Sequence, residues 1–110
     1  MNSDKIVVVD FGIGNLFSVE SALKKCGVQS VSISSDAIDI ANADRLILPG
    51  VGSFRNGVKS LKRHGLNAAI KSHSIEGKPL LGICLGMQLL ATTGTEYGES
   101  EGLDIIPGRV

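Results

Sequence analysis

Tryptophan is absent from this 110-residue sequence, and aromatic residues make up only 4% of it. Eleven basic and eleven acidic residues leave a formal net charge of zero. Proteins that bind nucleic acid usually combine a basic stripe with aromatic side chains that stack on bases, and the sequence shows neither pattern. The composition therefore argues against nucleic acid as a partner.

Cysteine is also scarce, with two residues in the chain. Two cysteines do not make a disulfide framework, and the sequence contains no cluster with metal-ligand spacing. The N-terminus lacks the basic and apolar regions of a secretory signal, and no apolar run is long enough to cross a bilayer. We therefore expect a cytoplasmic protein with reduced thiols, no bound metal and no membrane association.

Hydrophobic residues are abundant, at 43% of the chain, and so is glycine, with 14 residues. The apolar runs at residues 5–10 and 45–48 are short and continuous, which is typical of strands buried on both faces of a parallel sheet. Helical periodicity follows the first run, between residues 16 and 26, and glycines mark the junctions. These patterns predict an α/β fold of the flavodoxin-like type, with a mainly parallel sheet as the middle of three layers.

Three features that could suggest a site are interpreted as structural. The Gly12-x-Gly14 turn lacks the third glycine and the downstream acidic residue of a dinucleotide-binding loop, so no nucleotide cofactor is expected. Cys26 completes the apolar stripe of the first helix and is predicted to pack in the core. His64 and His73 stand among lysines and arginines in a helical region and are predicted to be exposed.

The segment at residues 79–90 carries the strongest functional pattern, because it predicts a buried strand, a sharp turn at Cys84 and a helix. Its Gly-x-Cys-x-Gly spacing repeats, with sulfur, the nucleophile elbow, in which a strained turn exposes one reactive side chain above a sheet. Gly82 and Gly86 would give the turn its steric room. The alternative interpretation is a buried cysteine in a tight turn.

Two neighbours of Cys84 are predicted to act with it. The backbone amide of Leu85 is placed to donate to an oxyanion formed when the sulfur attacks a carbonyl group. Gln88 follows one helical turn later, so its side chain could hold a polar substrate on the same face. The positive end of the helix dipole would favour the thiolate form of the cysteine.

A second glycine-rich loop, Pro49-Gly50-Val51-Gly52-Ser53, follows the apolar run at residues 45–48. Proline ends the strand, and the glycines let backbone amides turn towards the space above the sheet. Open α/β sheets place their ligands at such loops, although an ordinary strand-to-helix connection has the same composition. We expect Ser53 to cap the helix that follows.

The motif Gly82-Ile83-Cys84-Leu85-Gly86-Met87-Gln88 resembles the nucleophile motif of class I (triad-type) glutamine amidotransferases. Residues 10–16 and 48–53 resemble segments of the glutaminase subunits of imidazole glycerol phosphate synthases, so the resemblance spans nearly the whole chain. It implies hydrolysis of glutamine to glutamate and ammonia through a thioester on Cys84, with no cofactor. The ammonia would pass to a cyclase subunit with a (β/α)8 barrel, which makes imidazole glycerol phosphate in histidine biosynthesis.

The same resemblance implies roles for further residues. Val51, Gly52 and Leu85 would form the oxyanion hole, Gly52 and Gln88 would bind glutamine, and Asn15 would lie at the interface with the partner subunit. The histidine and glutamate of the family's triad lie downstream of the cysteine, whereas both histidines of this sequence precede it. We therefore expect residues 1–110 to be the N-terminal part of a single amidotransferase domain, with an open sheet edge and no activity of its own.

Three alternatives remain open on the sequence. A related amidotransferase could deliver ammonia to another synthase, for example in amidino-sugar biosynthesis. A cysteine hydrolase could use the same elbow on a different bond. A non-catalytic fragment could keep the fold and bind a partner without a triad.

Overall fold

The computed structural model describes residues 4–110, which form seven strands and five helices. The strands are β1 (Ile6–Val9), β2 (Val31–Ser34), β3 (Arg45–Gly50), β4 (Leu80–Cys84), β5 (Ala91–Gly94), β6 (Ser100–Glu101) and β7 (Ile106–Arg109). The helices are α1 (Leu16–Lys25), α2 (Ala37–Asn42), α3 (Phe54–His64), α4 (Asn67–Ile75) and α5 (Leu85–Leu89). In this part of the chain, every helix is too short or too polar to cross a membrane.

The first four strands form a parallel sheet in the order β2-β1-β3-β4, which confirms the predicted parallel α/β architecture. The middle of the sheet is buried on both faces, since Val7, Val8 and Val9 are all fully buried. Strand β4 lies at the edge of this sheet in the described chain, and Leu81 on it is 56% exposed. The open edge expected from the sequence is therefore present beside Cys84, whereas the prediction of a buried strand before Cys84 was wrong, because β4 has no fully buried residue in the described chain.

The core lies between one face of the sheet and helices α2 to α5. Alternate residues of β1 and β3 point into it, because successive strand residues face opposite sides. The largest buried members are apolar side chains from several elements: Phe11, Ile40, Leu46, Leu48, Phe54, Leu61, Leu66, Ile70, Leu89 and Leu103.

Helix α1 differs from the others in having no fully buried residue. The prediction that Cys26 packs in the core was wrong, because Cys26 is exposed. The residue is the C-cap of α1, where the backbone leaves the helical path and the side chain no longer continues the apolar stripe. Both cysteines of the chain are therefore open to solvent.

The two histidines also differ from each other. His64 is exposed, as predicted, with its Nδ1 atom 2.8 Å from the carbonyl oxygen of Ser60. The prediction for His73 was wrong, because this residue is completely buried. Its Nε2 lies 2.9 Å from the carbonyl oxygen of Pro79, so the ring joins α4 to the start of β4. The basic neighbours of His73 in the sequence suggested exposure, but its contact with Pro79 depends on how α4 packs and cannot be inferred from those neighbours.

The helix predicted after Cys84 is present but short. It ends at Leu89, and residues 91–94 form β5. The carbonyl groups at the end of α5 accept hydrogen bonds from a later segment, with Leu103 N donating to Leu89 O at 2.8 Å and Ile105 N to Leu90 O at 2.9 Å. These long-range bonds replace the next helical turn. Strand β5 then pairs with β6 and β7 in a small second sheet.

Candidate active site

The candidate site lies where β3 and β4 end side by side. The prediction that Pro49 ends the strand was wrong, because β3 continues to Gly50, and Gly50 and Cys84 are register partners in the parallel pairing of these strands. The loop that follows Gly50 and the turn at Cys84 therefore leave the same edge of the sheet from adjacent positions. This is the carboxyl edge, at which open α/β sheets bind ligands.

Cys84 has a backbone conformation that non-glycine residues rarely adopt, with φ of 55° and ψ of −122°. A positive φ at such a residue costs of order 1–3 kcal/mol and persists only where the surrounding structure imposes it. The residue is exposed, and it is the N-cap of α5. The strain and exposure are those of a nucleophile elbow and exclude the buried cysteine considered as the alternative.

Gly82 and Gly86 provide the steric room predicted for them. A Cβ atom at Gly82 would lie 2.6 Å from the α-carbon of Met87, and one at Gly86 would overlap the carbonyl oxygen of Leu48. Both obstacles are backbone atoms, which cannot move aside as a flexible side chain can. The strand, the turn and the helix thus approach each other more closely than any larger residue would permit.

The first βα turn, the loop after β3 and the elbow contact one another. A Cβ at Gly50 would lie 3.1 Å from the amide nitrogen of Gly86, and one at Gly14 would lie 3.7 Å from the α-carbon of Gly50. Asn15 follows in the same turn, is exposed, and makes no capping bond with its side chain at the start of α1. The structure therefore brings the turn that carries Asn15 next to the loop that adjoins Cys84.

The loop after β3 is open above the sheet. Val51 is 56% exposed, and Gly52 has a φ of 105° with no atom within 4 Å of where a Cβ would stand. Gly52 therefore suits this position through its backbone conformation, since the space around it would admit a Cβ. Ser53 caps α3, as predicted, by accepting a hydrogen bond from Asn56 N at 3.2 Å.

The residues predicted to assist Cys84 lie on α5. Leu85 is its first residue, so its amide N–H has no acceptor within the helix and is free to serve a ligand. Gln88 stands one helical turn beyond Cys84 and is half-buried. With a length of five residues, α5 contributes a smaller dipole than a helix of several turns would.

Sequence reasoning missed Glu96, which the structure places at the start of α3. Its carboxylate accepts a hydrogen bond from Phe54 N at 3.1 Å, two residues after Gly52. The same loop is held by Arg55, whose Nη1 donates to Tyr97 O at 3.0 Å. Glu96 lies in a polar stretch that predicts only a surface loop. The one indication in the sequence is that α3 has no acidic residue of its own in the first turn.

The charged and titratable groups of the described chain do not complete a catalytic site around Cys84. Within residues 4–110, neither histidine forms a hydrogen bond with the cysteine: His64 bonds to Ser60 and His73 to Pro79. The same residues hold no cluster of three or more possible metal ligands. The pKa of Asp4 lies below its usual range because its carboxylate accepts a hydrogen bond from Arg45, at the opposite end of β3 from the site.

Comparison with known proteins agrees with this geometry. Residues 7–102 match the family described as glutamine amidotransferase class-I. The imidazole glycerol phosphate synthase subunit HisH of Symbiobacterium thermophilum is 48% identical over 96% of this chain and 50% of its own length. The subunits of the same name from Carboxydothermus hydrogenoformans and Listeria monocytogenes serovar 1/2a are 51% and 48% identical, over 94% and 96% of this chain.

The chain spans about half the length of the curated relatives that it matches. The family match nevertheless covers both the elbow and the loop after β3, which the structure places side by side. The chain therefore belongs to the class-I glutamine amidotransferase family.

Proposed function

We propose that the full-length protein carrying this sequence hydrolyses glutamine to glutamate and ammonia, with Cys84 as the nucleophile. The observation that carries the proposal is the strained, exposed Cys84 next to Gly50, because it sets a solvent-accessible sulfur beside the backbone amides of the loop after β3. The similar proteins are named as subunits of imidazole glycerol phosphate synthase. The proposal extends this assignment to the present chain.

The reaction begins with attack of the Cys84 sulfur on the side-chain amide carbon of glutamine, which forms a carbon–sulfur bond and a tetrahedral oxyanion. The amide N–H groups of Leu85 and of the Val51–Gly52 segment donate to that oxygen. The carbon–nitrogen bond then breaks, and the nitrogen leaves as ammonia after accepting a proton. Water finally attacks the thioester, which releases glutamate and returns the thiol.

Two proton transfers in this scheme need a general acid and base, which in cysteine nucleophile systems is usually a histidine oriented by a third group. Neither His64 nor His73 is bonded to Cys84 in the described chain. We propose that the complete amidotransferase domain supplies the histidine and its glutamate from beyond these 110 residues. The present chain then provides the nucleophile and the oxyanion donors as the N-terminal part of that domain.

Recognition of free glutamine also requires groups for its charged end. Gln88 on α5 offers amide hydrogen bonds, and Glu96 holds a carboxylate at the start of α3, next to the loop that contains Gly52. A carboxylate in this place suits the α-ammonium group of glutamine, since a charge-assisted hydrogen bond is stronger than a neutral one. We propose that Glu96 distinguishes glutamine from amides that lack the ammonium group.

The ammonia passes, in this proposal, to a cyclase subunit with a (β/α)8 barrel that forms imidazole glycerol phosphate in the cytoplasm. Asn15 is exposed in the first βα turn, which contacts the loop beside Cys84 through Gly14 and Gly50. A partner seated on this turn would stand close to the point where ammonia is released. Asn15 is therefore the proposed interface residue.

An electrophilic glutamine analogue with a diazoketone in place of the amide tests the proposal. Because both cysteines are exposed, iodoacetamide should reach Cys84 and Cys26, and Cys26→Ser provides the background control. The analogue should label Cys84 alone in the full-length protein, and glutamine should protect against it. Equal labelling of the two cysteines by the analogue, or ammonia release that survives in Cys84→Ala, would contradict the proposed function.

A further inference from the structure

Charge is unevenly distributed along this electrically neutral chain. Residues 45–75 contain six lysines and arginines and no aspartate or glutamate, whereas residues 1–44 and 76–110 both have an excess of acidic residues. The six cations are Arg45, Arg55, Lys59, Lys62, Arg63 and Lys71. The chain is neutral as a whole but contains a strongly basic segment, residues 45–75, most of which forms α3 and α4.

Four of these cations gather on one face of α3, which we call the basic face: Arg55, Lys59, Lys62 and Arg63. At 3.6 residues per turn they fall within an arc of about 100°. All four are exposed, and the buried residues of α3 occupy the opposite side. The expectation that the chain has no basic stripe was therefore wrong, because helical spacing separates these residues in sequence and folding aligns them.

Local stability does not explain the basic face. Lys62 and Arg63 lie in the last turn of α3, where cations suit the helix dipole, but Arg55 lies in the first turn, where they oppose it. Between residues 4 and 110, the ion pairs within 4.0 Å involve Lys5, Lys24, Arg45 and Lys78 and none of these four cations. Arg55 is compensated by its hydrogen bond to Tyr97 O at 3.0 Å, but the grouping of Lys59, Lys62 and Arg63 beside it is not neutralised by an ion pair among the described residues, and such a grouping commonly serves an interaction.

The basic face adjoins the surface proposed to meet the partner subunit. Ser60 Oγ donates a hydrogen bond to the carbonyl oxygen of Phe11, and the His64 ring lies against Gly12, 3.3 Å from where a Cβ would stand. Phe11 and Gly12 begin the same βα turn that carries Asn15. Helix α3 therefore packs beside this turn through Ser60, on its buried side, and through His64 at its C-terminal end, where Lys62 and Arg63 of the basic face are the preceding residues.

We propose that the basic face of α3 docks against an acidic surface of the synthase subunit that receives the ammonia; this rests on the proposed function. Complementary charges at the rim of an interface mainly speed association and fix its orientation. A folded protein fits better than a nucleic acid. The basic face is about 12 Å long, it carries no aromatic residue for stacking, and the acidic loop with Glu96 and Glu99 adjoins its start and would repel a long polyanion.

The test compares two triple variants of the full-length protein with equal changes in net charge. The first neutralises the basic face through Lys59→Gln, Lys62→Gln and Arg63→Gln, and leaves Arg55, which holds the loop of Tyr97. The matched control is Lys25→Gln, Lys71→Gln and Arg109→Gln, three exposed cations elsewhere. Binding kinetics with the synthase subunit of the same organism are measured at low and high salt, and circular dichroism checks that each variant is folded.

The basic-face variant should bind about tenfold more weakly at low salt, mainly through slower association, and should lose most of the salt dependence. The control should bind like the wild type. Equal binding by both variants would overturn the inference while the proposed function stands. Failure of the wild type to bind the synthase subunit would overturn both. The basic face would be assigned to nucleic acid instead if two results were found together. The wild type and the control would bind a DNA or RNA oligonucleotide that the basic-face variant does not bind, and binding of the synthase subunit would be unchanged.

Discussion

Gly86 packs so closely on Leu48 that a Cβ at residue 86 would overlap the carbonyl oxygen of Leu48. This contact seats α5, the helix after Cys84, directly on β3, the strand that leads to the loop beside Cys84. Cys84, the proposed nucleophile, immediately precedes α5, Leu85 begins this helix, and the loop with Val51 and Gly52 directly follows β3. Their relative position is therefore maintained by backbone atoms in contact.

Gly86→Ala should destabilise the full-length protein by about 1–3 kcal/mol, because the added methyl group meets backbone that cannot move aside. Gly57→Ala is the matched control, since a Cβ there meets only side-chain methyl groups of Leu85 and Leu89 at 3.0–3.1 Å. Its packing cost should be largely offset by the better helix propensity of alanine. Urea unfolding of the two variants measures the difference, and equal midpoints would contradict the prediction.

Gly52→Ala should lower kcat of the full-length enzyme with its partner by about 10²–10³-fold, the usual scale for loss of an oxyanion donor. The φ of 105° disfavours any residue with a Cβ, so the loop should change conformation and move its amides. Gly27→Ala is the control, because Gly27 has a φ of 90°, is equally free of neighbours and lies after α1. The measurement is the rate of glutamine hydrolysis by both variants, and equal rates for Gly52→Ala and Gly27→Ala would contradict the prediction.

Glu96→Gln should raise KM for glutamine about tenfold or more, because the charge-assisted bond to the ammonium group is lost. The amide oxygen of the substituted side chain at position 96 can still accept the hydrogen bond from Phe54 N, so α3 should stay capped and kcat should change little. Glu99→Gln alters the same loop at an exposed position and serves as control. A variant that loses stability while its KM remains normal would show that Glu96 only holds the loop.

The 110-residue chain alone should not turn glutamine over. It carries the proposed nucleophile and oxyanion donors, but neither of its histidines is bonded to Cys84 in the described residues, so the leaving nitrogen lacks a positioned acid. The measurement is ammonia release from glutamine, with and without the cyclase subunit and against Cys84→Ala. Turnover that depends on Cys84 would mean that His64, His73 or a partner residue completes the site.

Much of the framework was predictable because it depends on local patterns. The continuous apolar runs indicated buried parallel strands, and the glycines on either side of Cys84 indicated the elbow, since only a residue without a Cβ tolerates such close backbone approach. The parallel sheet and the contacts of Gly82 and Gly86 confirm the buried strands and the geometry of the elbow. The role of Cys84 as nucleophile and the roles of Val51, Gly52, Leu85, Gln88 and Asn15 stay predictions.

Other features were decided only when distant segments met. Polar neighbours in the sequence suggested exposure for His73, but α4 turns it inward against Pro79, and the end of α5 is set by amides more than ten residues away. Likewise, Glu96 reaches the start of α3 across 42 positions, and the cations of α3 become one face only on a helix. Sequence alone therefore determined the buried parallel strands, the elbow and the family resemblance, which follow from residue type and spacing. Tertiary structure decided which charged and polar groups surround the site, because those contacts depend on how separate elements pack.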